Sequence, residues 1–220
     1  MLFSVVAHEY AHAEAAYRQG DDTAYALGRL TLNPLKHIDP FTTVVLPVML
    51  WIVSNGTFTF AAAKPVPVTP RKYRNFRQGD IIVSLAGIVT NLVLFVLAAG
   101  LFAIVGVVAD GAPVLARTFM ILQRMLFYGM WLNLLLAFFN LLPIPPCDGS
   151  HVFKYLLPPG AALKYRQLYA FGYLPIIAFL VFVRAVPAAQ AVYLWPMHQL
   201  LRLGWAVVGG YALPGALPVS

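Results

Sequence analysis

Charge is scarce in this chain. Asp, Glu, Lys and Arg make up 10% of its 220 residues, against about 25% in soluble domains. Cysteine is almost missing: Cys147 stands alone, so no intramolecular disulfide forms and no cysteine-based zinc site is available. Carboxylates are few, with two Glu and six Asp. No internal repeat and no low-complexity tract is present, which excludes a repeat array. What is abundant is apolar, at 60% of residues. Composition therefore predicts an all-α polytopic membrane protein with about four to six transmembrane helices and no sizeable soluble domain. The net charge of +7 does not signal nucleic acid, because the Lys and Arg residues lie mostly in short loops between apolar runs. The lipid bilayer is the expected partner and nucleic acid is not.

Against this background His8-Glu9-Tyr10-Ala11-His12 stands out. Residues four apart share one helix face, so both imidazoles can point at one metal ion. Glu9 sits close enough to hold a water on that metal and take its proton. This is the His-Glu-x-x-His arrangement of zinc metalloproteases. Ionisable groups in an apolar helix are costly and mark function by default. Only seven residues precede His8, about 10 Å of helix, against the roughly 20 residues of a full span. The first helix is thus expected to be short, or the natural protein to begin upstream of Met1.

Residues 18–40 read as a polar connection. Phe41 to Val53 is apolar but only thirteen residues long and holds Pro47, a length that fits a short span or a re-entrant segment. A basic loop follows, with Lys64, Arg71, Lys72, Arg74 and Arg77. Ile81 to Ala109 is the clearest span, and Phe119 to Leu142 the next; Tyr169 to Val183 and Ala191 to Val208 supply one or two more. Residues 18–40, 64–77 and 154–166 hold eleven Lys and Arg, while the 110–118 turn holds one. If the first three face the cytoplasm, the positive-inside rule is met and residues 41–53 dip in and return. The helices bearing His8 and Asn140 then run in the same direction, which brings His12 and Asp148 to the same cytoplasmic end.

Catalytic zinc typically takes three protein ligands and leaves a fourth position for water. The third candidate is Asp148, within Asn140-Leu-Leu-Pro-Ile-Pro-Pro-Cys147-Asp148-Gly149. Three prolines in four residues cannot continue a helix, so Asp148 is presented from broken backbone and is expected to cap a helix beginning near His151. Most other Asp residues are read as solvated surface charges. Glu9 is expected to act as general base toward water and general acid toward the leaving amine.

Together with Ala63-Lys64-Pro65-Val66-Pro67-Val68, these stretches resemble the site-2 protease family of intramembrane zinc metalloproteases, in its compact prokaryotic branch. The resemblance covers most of residues 1–155 and makes them the protease core, with residues 156–220 as C-terminal transmembrane helices. It implies one Zn2+ per chain, bound by His8, His12 and Asp148, with Glu9 catalytic. It also implies a transmembrane protein as substrate, cut within or near the membrane, and a multi-pass location in the cell membrane with the site toward the cytoplasm. Cys147 departs from the family's usual aliphatic residue, and Ile88 from a common Pro in Gly87-Ile88-Val89-Thr90-Asn91. Asn91 and Asn140 can each orient substrate backbone or stabilise an oxyanion; hydrogen bonding between helices is the competing reading. His37 reads as a loop-packing or site-mouth residue, His151 as a neighbour of the ligands and His198 as interfacial. The competing function is a catalytically inactive or transport-type zinc-binding protein of the same fold. A transporter predicts paired halves, which are not visible, and an inactive relative usually loses the base, which Glu9 retains. The sequence does not fix the oligomeric state.

Overall fold

In lipid, helix is the open-ended structure that satisfies every backbone polar group within its own segment. The structure of the protein, a computed structural model, describes residues 2–53, 55–56 and 64–216, and every regular element among them is helical. The all-α fold expected from composition is what is found. Met1 and Ala63, which figure in the expectations above, lie outside the described residues.

The chain divides into two compact units, Met1–Thr90 and Asn91–Ser220. The first unit opens with α1 (Leu2–Arg18) and the short α2 (Thr23–Ala26). A π-helical turn at Pro40–Val45 runs into α3 (Leu46–Val53). The long α4 (Phe76–Asp110) begins in this unit and ends in the next. Small residues let α1 approach its neighbours closely. Ala13 is fully buried with Ala24 and Val66, and Ala16 with Tyr73 and Val83. The turn after α1 is stitched to residues 69–74: Arg74 N–H donates to Gln19 O across 2.8 Å. Asp21 belongs to the same seam, and here the structure corrects the sequence reading. Its side chain is fully buried instead of solvated, with Oδ2 accepting from Thr69 N–H and Oδ1 from Thr23 N–H and the Thr23 hydroxyl. On the surface, Lys72 bonds Asp22 across 2.6 Å and holds that carboxyl below its ordinary range. Such an exposed pair contributes little to stability. Burial, with Asp21 and Asp80 nearby, pushes the Tyr73 hydroxyl up.

The second unit holds the rest of α4, then α5 (Ala116–Asn140), α6 (Asp148–Phe153), α7 (Pro159–Arg166), α8 (Leu174–Ala185) and α9 (Pro187–Val208). Phe102 of α4, Met130 of α5 and Val208 of α9 make its core. Trp205 meets Phe102 and Phe127 edge-on, with ring centroids 5.9 and 6.0 Å away. Gln123 is fully buried yet saturated: Nε2 donates to Phe102 O and Tyr211 O, and Oε1 accepts from Leu213 N–H. Leaving that amide unbonded at this depth would be expensive, so Gln123 fastens the C-terminal segment to α4 and α5.

Among the described residues, two helical stretches are long and apolar enough to cross a membrane, Phe76–Ala109 and Pro113–Asn140. The bent pair Pro159–Phe171 and Leu174–Ala185 adds a third if it forms one broken span. By length and composition these stretches leave the expected four to six unconfirmed. α1 has 17 residues, and α3 adds only eight to the six of its π-helical turn. α9 is long enough but carries Gln190, His198, Gln199 and Arg202. The outer surface of α4 shows Val93, Val96, Leu101 and Ile104, as a lipid-facing helix does.

Candidate metal centre

α1 sets His8 and His12 one turn apart on one face. Their Nε2 atoms converge to 3.0 Å, with ring centroids 4.6 Å apart and planes crossed at 85°. His8 is buried and His12 half-buried. The second nitrogen of His12 settles its tautomer. Nδ1 lies 2.7 Å from Val83 O, a carbonyl that can only accept, so Nδ1 carries the proton. In the neutral ring Nε2 then carries the lone pair, and it faces Nε2 of His8. A histidine anchored this way is a prepared metal ligand.

The backbone of α4 closes over the pair at Gly87. A Cβ there would stand 2.5 Å from His8 Cε1 and 2.6 Å from both His8 Nδ1 and His12 Nε2. Only glycine admits so close an approach. In the sequence Gly87 opens the element Gly87-Ile88-Val89-Thr90-Asn91, and this contact supplies a reason for the glycine.

Glu9, half-buried beside His8, accepts a 2.8 Å hydrogen bond at Oε2 from the backbone N–H of Val66. Val66 belongs to the proline-stiffened segment that sequence reading picked out, although its N–H was not anticipated. The segment is itself held. Lys64 N–H donates to His37 O across 2.9 Å, and Arg29 donates to Lys64 O across 3.0 Å. His37 is fully buried and its Nε2 donates to Thr31 O, which is loop packing.

In the second unit, Asp148 is the first residue of α6 and is half-buried. It is not the cap of a later helix, as the sequence suggested. Cys147 occupies the preceding extended position, and no side chain caps the helix. The turn is made by backbone, with Cys147 N–H donating to Ile144 O and Ser150 N–H to Cys147 O. The Ser150 hydroxyl donates to Cys147 O and lies 2.7 Å from the Tyr169 hydroxyl. A Cβ on Gly149 would collide with the backbone of Leu141 and Leu142, so this tight return requires glycine. Asn91 Nδ2 donates to Asn133 Oδ1 across 2.9 Å, both groups buried. Asn140 Nδ2 bonds back to Leu136 O. His151 packs edge-on against Tyr169 and lies near Lys154 Nζ, whereas His198 is exposed.

Comparison with known proteins bears on the chemistry. A Bacillus subtilis (strain 168) protein named "Putative zinc metalloprotease YwhC" is 41% identical over 199 residues, 90% of this chain and 83% of its own length. The chain belongs to peptidase family M50. The sequence profile of that family, the site-2 proteases, matches residues 107–182. "Putative zinc metalloprotease Rip2" of Mycolicibacterium smegmatis is 34% identical over 180 residues, 82% of this chain and 64% of its own length. No solved structure matches. Membership of M50 makes the chain a membrane-embedded zinc metalloendopeptidase. The donors on α1 suit that metal: two imidazole nitrogens converge, and the Glu9 carboxylate stands beside them, one residue along from His8.

Proposed function

We propose that this M50 peptidase cuts peptide bonds within or near transmembrane segments of membrane-protein substrates, using one Zn2+ held by His8, His12 and Asp148. The observation that carries the reading is the 3.0 Å approach of His8 Nε2 and His12 Nε2, with the Glu9 carboxylate beside them. Asp148 completes the set on sequence grounds. It lies next to last in the Asn140–Gly149 stretch, inside the matched residues 107–182, and offers a carboxylate, the donor type that joins two histidines in catalytic zinc sites.

Zinc bound there supplies Lewis acidity toward the scissile carbonyl and the attacking water. The remaining work belongs to the chain. Val66 N–H holds Oε2 of Glu9, so Oε1 is the oxygen that takes the proton of the attacking water and passes it to the leaving amine. His12 is locked in the metal-binding tautomer by Val83 O. Eleven Lys and Arg in three loops support a site facing the cytoplasm from a multi-pass position in the cell membrane.

Purified wild-type protein and Glu9→Gln, compared for zinc content and for cleavage of a transmembrane reporter, test the assignment. Glu9→Gln is expected to keep its zinc and lose cleavage. Full activity, or stoichiometric loss of zinc, refutes the role given to Glu9.

A further inference from the structure

Glu9 is held by a backbone donor, and a backbone donor is only as fixed as its own segment. Residues 64–69 contain Pro65 and Pro67, which cannot donate. Their conformation is set instead at the two ends. At the near end, Lys64 is bonded through both its N–H and its carbonyl, to His37 O and Arg29. At the far end stands Asp21. It is fully buried, its Oδ2 accepts from Thr69 N–H at 2.5 Å, and Thr23 Oγ1 reaches Thr69 Oγ1 across 3.1 Å. Between the ends, Val66 is buried against Ala13 and Ala24.

A buried carboxylate is costly to keep and does not persist without its partners. Asp21 spends both oxygens on backbone and hydroxyl donors from two segments far apart in sequence. It sits three residues past the end of α1, the helix that carries Glu9. One side chain therefore ties that helix to the segment whose N–H grips Glu9.

We infer that Asp21 is a positioning residue for Glu9: by fixing Thr69, it sets the Val66 N–H on the Glu9 carboxylate. The inference rests on the reading of Glu9 as the base. Misplacement of a catalytic group by about 1 Å costs on the order of 10²-fold in rate. Asp21→Asn keeps the size of the side chain but turns one of its two acceptors into a donor.

Four variants test this in the zinc-loaded full chain: Asp21→Asn, Val66→Pro, Asp22→Asn and Glu9→Gln. Zinc content, kcat and KM on a transmembrane reporter, and amide exchange of the Lys64–Thr69 segment are measured. Asp21→Asn is expected to keep its zinc, lower kcat roughly 10²-fold at unchanged KM, and speed exchange at Val66 and Thr69. Val66→Pro, which deletes the donor itself, is expected to lose kcat in the same way and serves if Asp21→Asn does not fold. Exposed Asp22→Asn is expected to behave as wild type. Wild-type kcat in Asp21→Asn or in Val66→Pro overturns the inference, and so does a kcat loss that comes only with lost zinc. Continued cleavage by Glu9→Gln instead refutes the base assignment and leaves the exchange result to judge the link between Asp21 and Val66.

Discussion

The proton on His12 Nδ1 is committed to the carbonyl oxygen of Val83, 2.7 Å away on α4. That carbonyl belongs to a helix, so its position is as rigid as the helix. The bond does two things at once: it chooses the tautomer and it sets the ring plane, leaving Nε2 facing His8 Nε2. Four residues further along the same helix, Gly87 lies against the two rings. On the proposed reading the His-Glu-x-x-His motif supplies two zinc ligands, and the first turns of α4 orient them.

Gly87→Ala is therefore expected to damage metal binding with little change elsewhere. The added methyl would meet ring atoms of both histidines at 2.5–2.6 Å, below any ordinary contact. Relief requires a shift of the rings or of α4, at about 1–3 kcal/mol. Loss of ligand support typically lowers metal affinity about 10–100-fold. Zinc affinity measured by chelator competition is expected to fall in that range, and wild-type affinity would show that α4 yields freely.

Asp148→Ala is expected to lower zinc occupancy and cleavage together, because it removes the carboxylate proposed as the third ligand. The measurement is metal content of purified protein alongside reporter cleavage. Full zinc occupancy would transfer the third-ligand role to another group, with His151 and Cys147 the neighbours to substitute next.

Asn91 presents two readings that a single substitution separates. Its Nδ2 is already engaged with Asn133 Oδ1, in a buried pair within the second unit. Hydrogen bonds between membrane helices contribute about 0.6 kcal/mol on average, whereas loss of an oxyanion donor costs about 10²–10³ in kcat. On the observed bonding, Asn91→Ala is expected to lower thermal stability slightly and leave kcat within tenfold of wild type. A loss of 10²-fold at unchanged stability would give Asn91 to the transition state.

Much of the candidate site is legible in sequence because its proposed chemistry is local. His8, Glu9 and His12 share one helical turn or little more, and a period of 3.6 places them without any tertiary information. The helical class followed from composition alone. What sequence did not disclose came from distant backbone. The Val66 N–H on Glu9 and the Val83 carbonyl on His12 are main-chain groups, which every residue type offers alike. Asp21 was misread as a solvated charge, since burial of a loop carboxylate depends on donors 48 residues further on. The number of spans is less legible, because α9 is long but polar and residues 40–53 are apolar but short.

That short apolar stretch carries the last prediction. The π-helical turn Pro40–Val45 and α3 together supply fourteen residues, against the roughly 20 that a crossing takes. Val44, Val48, Trp51 and Ile52 are exposed, too apolar a surface to rest in water. Both flanks are basic, with Arg29 and Lys36 before it and Lys64, Arg71 and Lys72 after it. Placing either flank outside the cytoplasm would oppose the positive-inside rule, so the segment is expected to enter the bilayer and return on the same side. In a Cys147→Ala background, cysteines introduced at Thr31 and at Arg74 are expected to react with an impermeant thiol reagent from the cytoplasmic face only. Labelling of the two from opposite faces would make residues 41–53 a crossing. The helix ending at Asn140 would then run opposite to the helix bearing His8, and Asp148 could share a zinc with His12 only if the chain crossed the membrane once more in between.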